Sequence, residues 1–250
     1  MVWRAWLALC LGWLAAAAQS ETLVVYGGDS FAPTSYLLNG KPAGTLVDIL
    51  KKVSQKSGDT YDIRLFPWKR AYEYAARGDG AIFGLSMTPE REEIFDFSEP
   101  LYYNELQLVV AKGHEFTYSK FEDLKDRRVG GGSGVSYGPE VDNALATGLL
   151  TLERDNDATA RLQRVLVGQL QVAIIGHGMA GVDYLVKGHP RLRLRRNELS
   201  VLPKPLARDP LYLAVSKNMQ KKDVLARFNK ALHELHRSGQ LVINADQRKG

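Results

Sequence analysis

The chain has 250 residues, with 33 Lys and Arg against 28 Asp and Glu, a net charge of +5 and one cysteine. The charge excess is small and dispersed, which argues against a nucleic-acid surface while allowing attraction to anions. A single cysteine excludes an internal disulfide framework.

Residues 1–20 read as a cleavable secretory signal. Arg4 supplies the positive start, Trp6 to Leu14 an apolar core too short to span a bilayer, and Ala15 to Ser20 a small-residue exit. Cleavage after Ser20 is favoured over cleavage after Ala18 and leaves Glu21 as the mature start. Cys10 lies inside this segment, and Leu9 before it speaks against lipidation. The exported product then carries no thiol. Its roughly 230 residues suit one large domain or two ordinary lobes. No later apolar run is long enough for a membrane helix.

Leu23 to Tyr26 reads as a buried strand ending at Gly27-Gly28, and Pro33 and Asn39-Gly40 mark a loop and hairpin. Leu46, Ile49, Leu50 and Val53 fall at helical spacing. Tyr61 to Leu65 alternates as a strand, Trp68 to Arg77 forms a helix, and Ala81 to Phe83 a short buried strand. This rhythm predicts an α/β unit with a mostly parallel sheet. It restarts after Leu106 to Ala111. A strand ends at Val129-Gly130-Gly131, a helix covers Pro139 to Leu145, and a strand Leu149 to Leu152. Ala158 to Val167 is a helix and Val172 to Ile175 a strand. Arg191 to Arg195 alternates Arg and Leu and is expected as a strand with its arginines in water. Leu211 to Val215 is a strand and Val224 to Leu235 an amphipathic helix. Two successive α/β units with a returning tail predict two lobes and a cleft between them.

The densest chemistry lies in Gly84 to Tyr103, GLSMTPEREEIFDFSEPLYY. Thr88 is placed to cap a helix, Pro89 suits its first position, and Glu90, Glu92 and Glu93 favour the positive end of the dipole. Arg91 is the exception, a cation in a first turn. A bound anion gripped beside Ser86 and free backbone N–H groups accounts for it. A surface pair with Glu92 or Asp96, or plain hydration, accounts for it equally well on local physics.

Ser86-Met87-Thr88-Pro89-Glu90-Arg91 resembles, position by position, the carboxylate-clamping run of the bacterial extracellular solute-binding proteins of family 3. DFSEPLYY resembles the segment that leads from their first lobe into the hinge. The resemblance covers about residues 22 to 245. It implies a two-lobed, periplasmic-binding-protein-like fold of type II with mixed, mostly parallel sheets. Lobe one would be residues 21–103 and 207–250, lobe two residues 104–206, joined by two crossing segments. It further implies that Arg91 and Ser86 hold the ligand's carboxylate and that Trp68 and Phe31 form aromatic walls around its body. Gly134 and Ser136, in the glycine-rich run from Gly130, would add contacts from the second lobe. That run is neither a dinucleotide fingerprint nor a nucleophile elbow, because Tyr137 and Val135 stand where glycines are needed.

Two positions depart from the family pattern. Gly176 stands where many members place an ammonium-binding aspartate, and Gly84 replaces a hydroxyl residue that bonds the carboxylate. Asp29, Glu105 or Asp183 then takes the ammonium, or the ligand has none. His177 beside Gly176 is either a ligand contact or a structural histidine. His233 and His236 lack a third metal ligand, and Asp209-Pro210 is expected only to shape the return crossing.

The expected protein is thus a periplasmic, monomeric binder of a small carboxylate, an amino acid or related organic acid. It needs no cofactor or metal and presents its ligand to a membrane transporter permease. The rival readings are a periplasmic sensor partner on the same fold and a cyclohexadienyl dehydratase-like enzyme, which requires a cleft acid of raised pKa.

Overall fold

The computed structural model describes residues 22–241, so the signal segment and Cys10 lie outside the described residues. The chain begins with β1 (Thr22–Gly28), β2 (Ser30–Phe31), β3 (Ser35–Leu38) and β4 (Lys41–Ala43). Asn39 and Gly40 both take positive φ in the β3–β4 turn, as a tight hairpin requires. Helix α1 (Thr45–Ser57) buries Leu46, Val47, Ile49, Leu50 and Val53 and stops at Gly58, which is left-handed. Strand β5 (Thr60–Phe66), helix α2 (Trp68–Arg77) and strand β6 (Ala81–Ser86) follow. β1 lies between β5 and β6 and runs parallel to both, as the β-α-β rhythm predicts.

Helix α3 (Pro89–Ile94) and the short β7 (Phe95–Phe97) lead into β8 (Tyr102–Ala111). Next come β9 (Val129–Gly132), α4 (Pro139–Ala146), β10 (Glu153–Asp155), α5 (Ala158–Leu166), β11 (Val172–Ile175) and α6 (Gly178–Gly188). The chain returns through α7 (Pro190–Leu194), β12 (Leu199–Val201), β13 (Ala207–Ser216) and α8 (Lys222–Arg237). α8 packs Val224, Leu225, Phe228, Ala231, Leu232 and Leu235 into the same core as α1.

The strands join in the order β10-β9-β11-β8-β13-β6-β1-β5. Its centre is the antiparallel pair β8 and β13, each ten residues long. The near half of β8 pairs with the first half of β13, while its far half pairs with β11 and β12. The far half of β13 pairs with β6 and β7. Each strand therefore takes part in both ends of the sheet. Apolar burial divides the same way. Two clusters draw on residues between 23 and 101 and between 211 and 241. Two others draw on residues between 106 and 206.

Two expected strands are corrected. The run 191–195 is not a strand, because residues 191–194 fall in helix α7 and Arg195 caps its C-terminus. Pro190 occupies its first turn, and the His189 ring accepts the Leu192 N–H as a cap. Only Leu192 is buried, whereas Leu194 is 86% exposed, so the Arg-Leu alternation marks no sheet face. Leu149 to Leu152 is a turn after α4, with Leu150 anchored in the core and left-handed Gly148 reversing the chain. The strand starts one residue later, at Glu153, where it pairs with Gly130. Helix α6 had no counterpart in the sequence reading.

Candidate functional site

Residues from both ends of the sheet enclose a cavity of about 30 Å³, which opens into a cleft of about 960 Å³. One water needs roughly 10–15 Å³ by the same measure, so the inner cavity is the size of a carboxylate group. Phe31, Trp68, Arg91, Asn104, Val135 and His177 line both spaces. Of the other residues read from sequence, Gly84, Ser86 and Ser136 line the inner cavity and Gly134 the outer cleft.

Arg91 reaches the cavity because α3 starts where its sequence says. Thr88 accepts the Arg91 N–H through its hydroxyl at 3.3 Å, with Pro89 in the first turn. The Arg91 side chain folds back so that Nη1 donates to the Ser86 carbonyl at 2.8 Å. Its guanidinium lies 5.6 Å from the centre of the Tyr72 ring. Burial pushes the Arg91 pKa down, opposed by Tyr72, Asp142 and Asp209. Asp96 pairs with Lys222 at 3.5 Å instead, and among the described residues Arg91 forms no ion pair, so the surface pair with Glu92 or Asp96 does not form.

Gly84 has a backbone reason to be glycine. Its φ is +73°, and the β6–β13 register shifts across it, with Leu85 opposite Tyr212 and Phe83 opposite Leu213. A bulge at positive φ favours glycine and turns Ser86 and the Arg91 loop toward the cavity.

Ser86 is 5% exposed, and its hydroxyl donates to Asp209 Oδ2 at 2.5 Å. Asp209 is itself 1% exposed, and its Oδ1 has no hydrogen-bond partner. A Cβ at Gly138, whose φ is +91°, would stand 3.0 Å from that oxygen. Burial pushes the Asp209 carboxyl up to about 7. Asp142 adds to the rise, and the Ser86 hydrogen bond and Arg91 oppose it. The sequence suggests for Asp209 only a role in shaping the crossing, yet it stands directly behind the Ser86 hydroxyl.

Phe31 and Trp68 stand at the cavity as an aromatic corner. The Phe31 and Trp68 ring centres lie 5.7 Å apart with planes at 63°. Gly28 permits this, since a Cβ there would fall 2.6 Å from the Phe31 ring. From the other side, Ser136 donates to Asp142, and Asp142 also accepts the Tyr137 N–H at 3.0 Å. Gly134 sits at φ +67° with open space around it.

His177 lies against Phe31 and Tyr102, with its ring nitrogens 3.2 and 3.3 Å from the Thr34 hydroxyl. Burial pushes its imidazole down to about 4, so it is neutral near pH 7. The His177 backbone N–H donates to Asn104 Oδ1 at 2.7 Å. Asn104 fills the space beside Gly176, where an added Cβ would meet Oδ1 at 3.0 Å. Of the acids named for an ammonium, Asp29 lines only the outer cleft, Asp183 pairs with Arg196, and Glu105 accepts from Gln107.

The sequence reading also missed Arg161, 6% exposed beneath the glycine-rich strand. Its guanidinium grips both oxygens of Asp155 at 2.9 and 2.7 Å and donates to the Ile174 carbonyl at 2.8 Å. Gly130 makes room for it, since a Cβ there would lie 2.9 Å from the arginine stem. Arg161→Met leaves a half-buried carboxylate and a buried carbonyl without their partner. A loss of about 3 kcal/mol is expected in urea unfolding. A loss below about 1 kcal/mol would show that the pair does not hold this strand.

The model for bacterial extracellular solute-binding proteins, family 3, matches residues 23–245. The chain belongs to this family. It is 27% identical to the L-cystine-binding protein TcyJ of Escherichia coli K12, over 92% of this chain and 83% of that one. A probable amino-acid ABC transporter-binding protein of Haemophilus influenzae is 28% identical, over 71% and 67% of the two chains. A histidine kinase sensor domain similar to periplasmic binding proteins superposes with a TM-score of 0.72 at 22% identity, covering 88% of this chain and 92% of that one. An ancestral arginine-binding protein bound to arginine gives 0.69 at 23% identity, covering 87% and 93%. These structural likenesses establish the shared fold. As a family 3 solute-binding protein, the chain is of extracellular or periplasmic type, and none of its described helices is long and apolar enough to cross a membrane.

Proposed function

We propose that this solute-binding protein captures a small carboxylate between two lobes, residues 21–103 with 207–250 and residues 104–206, and presents it to a membrane transporter. The observation that carries the reading is Arg91, a half-buried guanidinium with no ion-pair partner among the described residues, at the wall of a carboxylate-sized cavity. Ser86 and Arg91 come from one side of the cleft, Ser136 and His177 from the other. A ligand touching both sides stabilises the closed form by its differential affinity. The relatives that bind cystine or serve amino-acid transporters support the transport role.

A binding role is favoured over catalysis by the placement of Asp209. This acid of raised pKa is shielded behind the Ser86 hydroxyl and does not line the cavity, so it offers no general acid to a ligand there. A thermal-shift screen of amino acids, dicarboxylates and other small organic acids tests the proposal. Ligand at a hundred times its Kd is expected to stabilise the protein by about 2.7 kcal/mol. Silence across every carboxylate would overturn it.

A further inference from the structure

The inner cavity limits what can stand beside the carboxylate. With a ligand's carboxylate filling the cavity of about 30 Å³ at Arg91, a substituent on its α-carbon is one bond further away, at the mouth where Phe31, Trp68, Arg91, Asn104, Val135 and His177 line both cavity and cleft. The polar wall of the cavity comprises Thr34, Ser35, Ser86, Asn104, Ser136 and His177. Its groups are largely engaged with one another. Thr34 donates to the Phe31 carbonyl at 2.6 Å, Ser35 to the Gly28 carbonyl at 2.5 Å, and Ser86 and Ser136 to Asp209 and Asp142. The Asn104 carbonyl oxygen is identified by the backbone N–H it accepts, so the other end of that amide is NH2, a donor.

Arg91 is the single formal charge among the described residues that line the cavity, and His177 is neutral. A carboxylate anion brings the cavity to neutrality. An α-amino acid brings an additional ammonium, leaving a buried positive charge with no carboxylate on the wall to meet it. Asp142 and Asp209 stand behind the wall, each bound to a serine hydroxyl, and neither lines the cavity. Asp29 lies on the outer cleft, beyond the cavity.

We infer that the site selects carboxylic acids whose α-carbon carries no ammonium, such as 2-oxo, 2-hydroxy and unsubstituted acids, over α-amino acids with the same body. This rests on carboxylate capture at Arg91. The Asn104 amide is the discriminating residue: its NH2 end suits an oxygen substituent and repels an ammonium.

The test is a matched panel by calorimetry at pH 7.5, each amino acid set against its 2-oxo, 2-hydroxy and unsubstituted counterparts. Wherever a body binds, the acid is expected to bind at least tenfold more tightly than the amino acid. Asn104→Asp keeps an acceptor for the His177 N–H and adds the missing negative charge. It is expected to shift the ratio toward the amino acid by at least tenfold, with circular dichroism confirming the fold. Amino acids binding as tightly as the acids, or a ratio unmoved by Asn104→Asp, would overturn the inference and leave carboxylate capture standing. Failure of every member to bind would overturn both.

Discussion

Arg91→Ala is expected to abolish carboxylate binding while leaving the fold intact. Truncating one partner of a buried charged pair costs about 2–5 kcal/mol, which is roughly 30-fold to several thousand-fold in Kd. The fold should survive because the Arg91 side chain is held only by the Ser86 carbonyl and Tyr72, with no ion-pair partner among the described residues. Removing a half-buried cation that lacks an ion-pair partner also removes its desolvation cost. Arg91→Lys is expected to fall between, since an ammonium keeps the charge but not the bidentate fork. Calorimetry with a ligand from the screen checks both variants. Wild-type affinity in Arg91→Ala would place the ligand elsewhere.

Asp209→Asn is expected to change how stability depends on pH. The ordinary aspartate pKa is 3.8, and burial raises that of Asp209 to about 7, so the folded state binds the extra proton. Wild-type protein therefore has the full contribution of Asp209 below about pH 4 and loses it as pH rises toward about 7. The loss has an upper bound of about 4 kcal/mol, from about three pKa units at 1.36 kcal/mol each. Asparagine keeps an acceptor for the Ser86 hydroxyl and carries no charge to desolvate. Its advantage over wild type should grow between pH 4.5 and 8. Exposed acids with lowered pKa, such as Glu198 and Asp223, act in the opposite direction but are common to both proteins. Urea unfolding of both at pH 4.5, 6 and 8 reads the difference directly. A gap that stays constant across that range would show that folding does not raise the Asp209 pKa.

The two misread strands show where local pattern fails. Arg191 to Arg195 alternates perfectly for a sheet, but Pro190 and the His189 cap set a helix, and a single leucine is buried. The run Leu149 to Leu152 is apolar because Leu150 closes the core after α4, not because it extends a sheet. The family pattern presents Gly84 as a lost hydroxyl contact. It is better explained by the bulge it occupies, which becomes visible only when β13 is laid beside β6.

By itself the sequence determined the local parts of this protein. Hydrophobic spacing specified α1 and α8, Asn39-Gly40 the hairpin, and Thr88-Pro89 the helix start that carries Arg91. Each depends on contacts within a few residues, so the signal lies in the spacing. The tertiary structure decided what surrounds Arg91. Ser86 meets Asp209 across 123 residues of sequence, and Asn104 meets His177 across 73. Sheet topology creates these encounters, through β8 and β13 passing side by side at the centre. No periodicity encodes which polar side chain will lie opposite another once two distant strands pair.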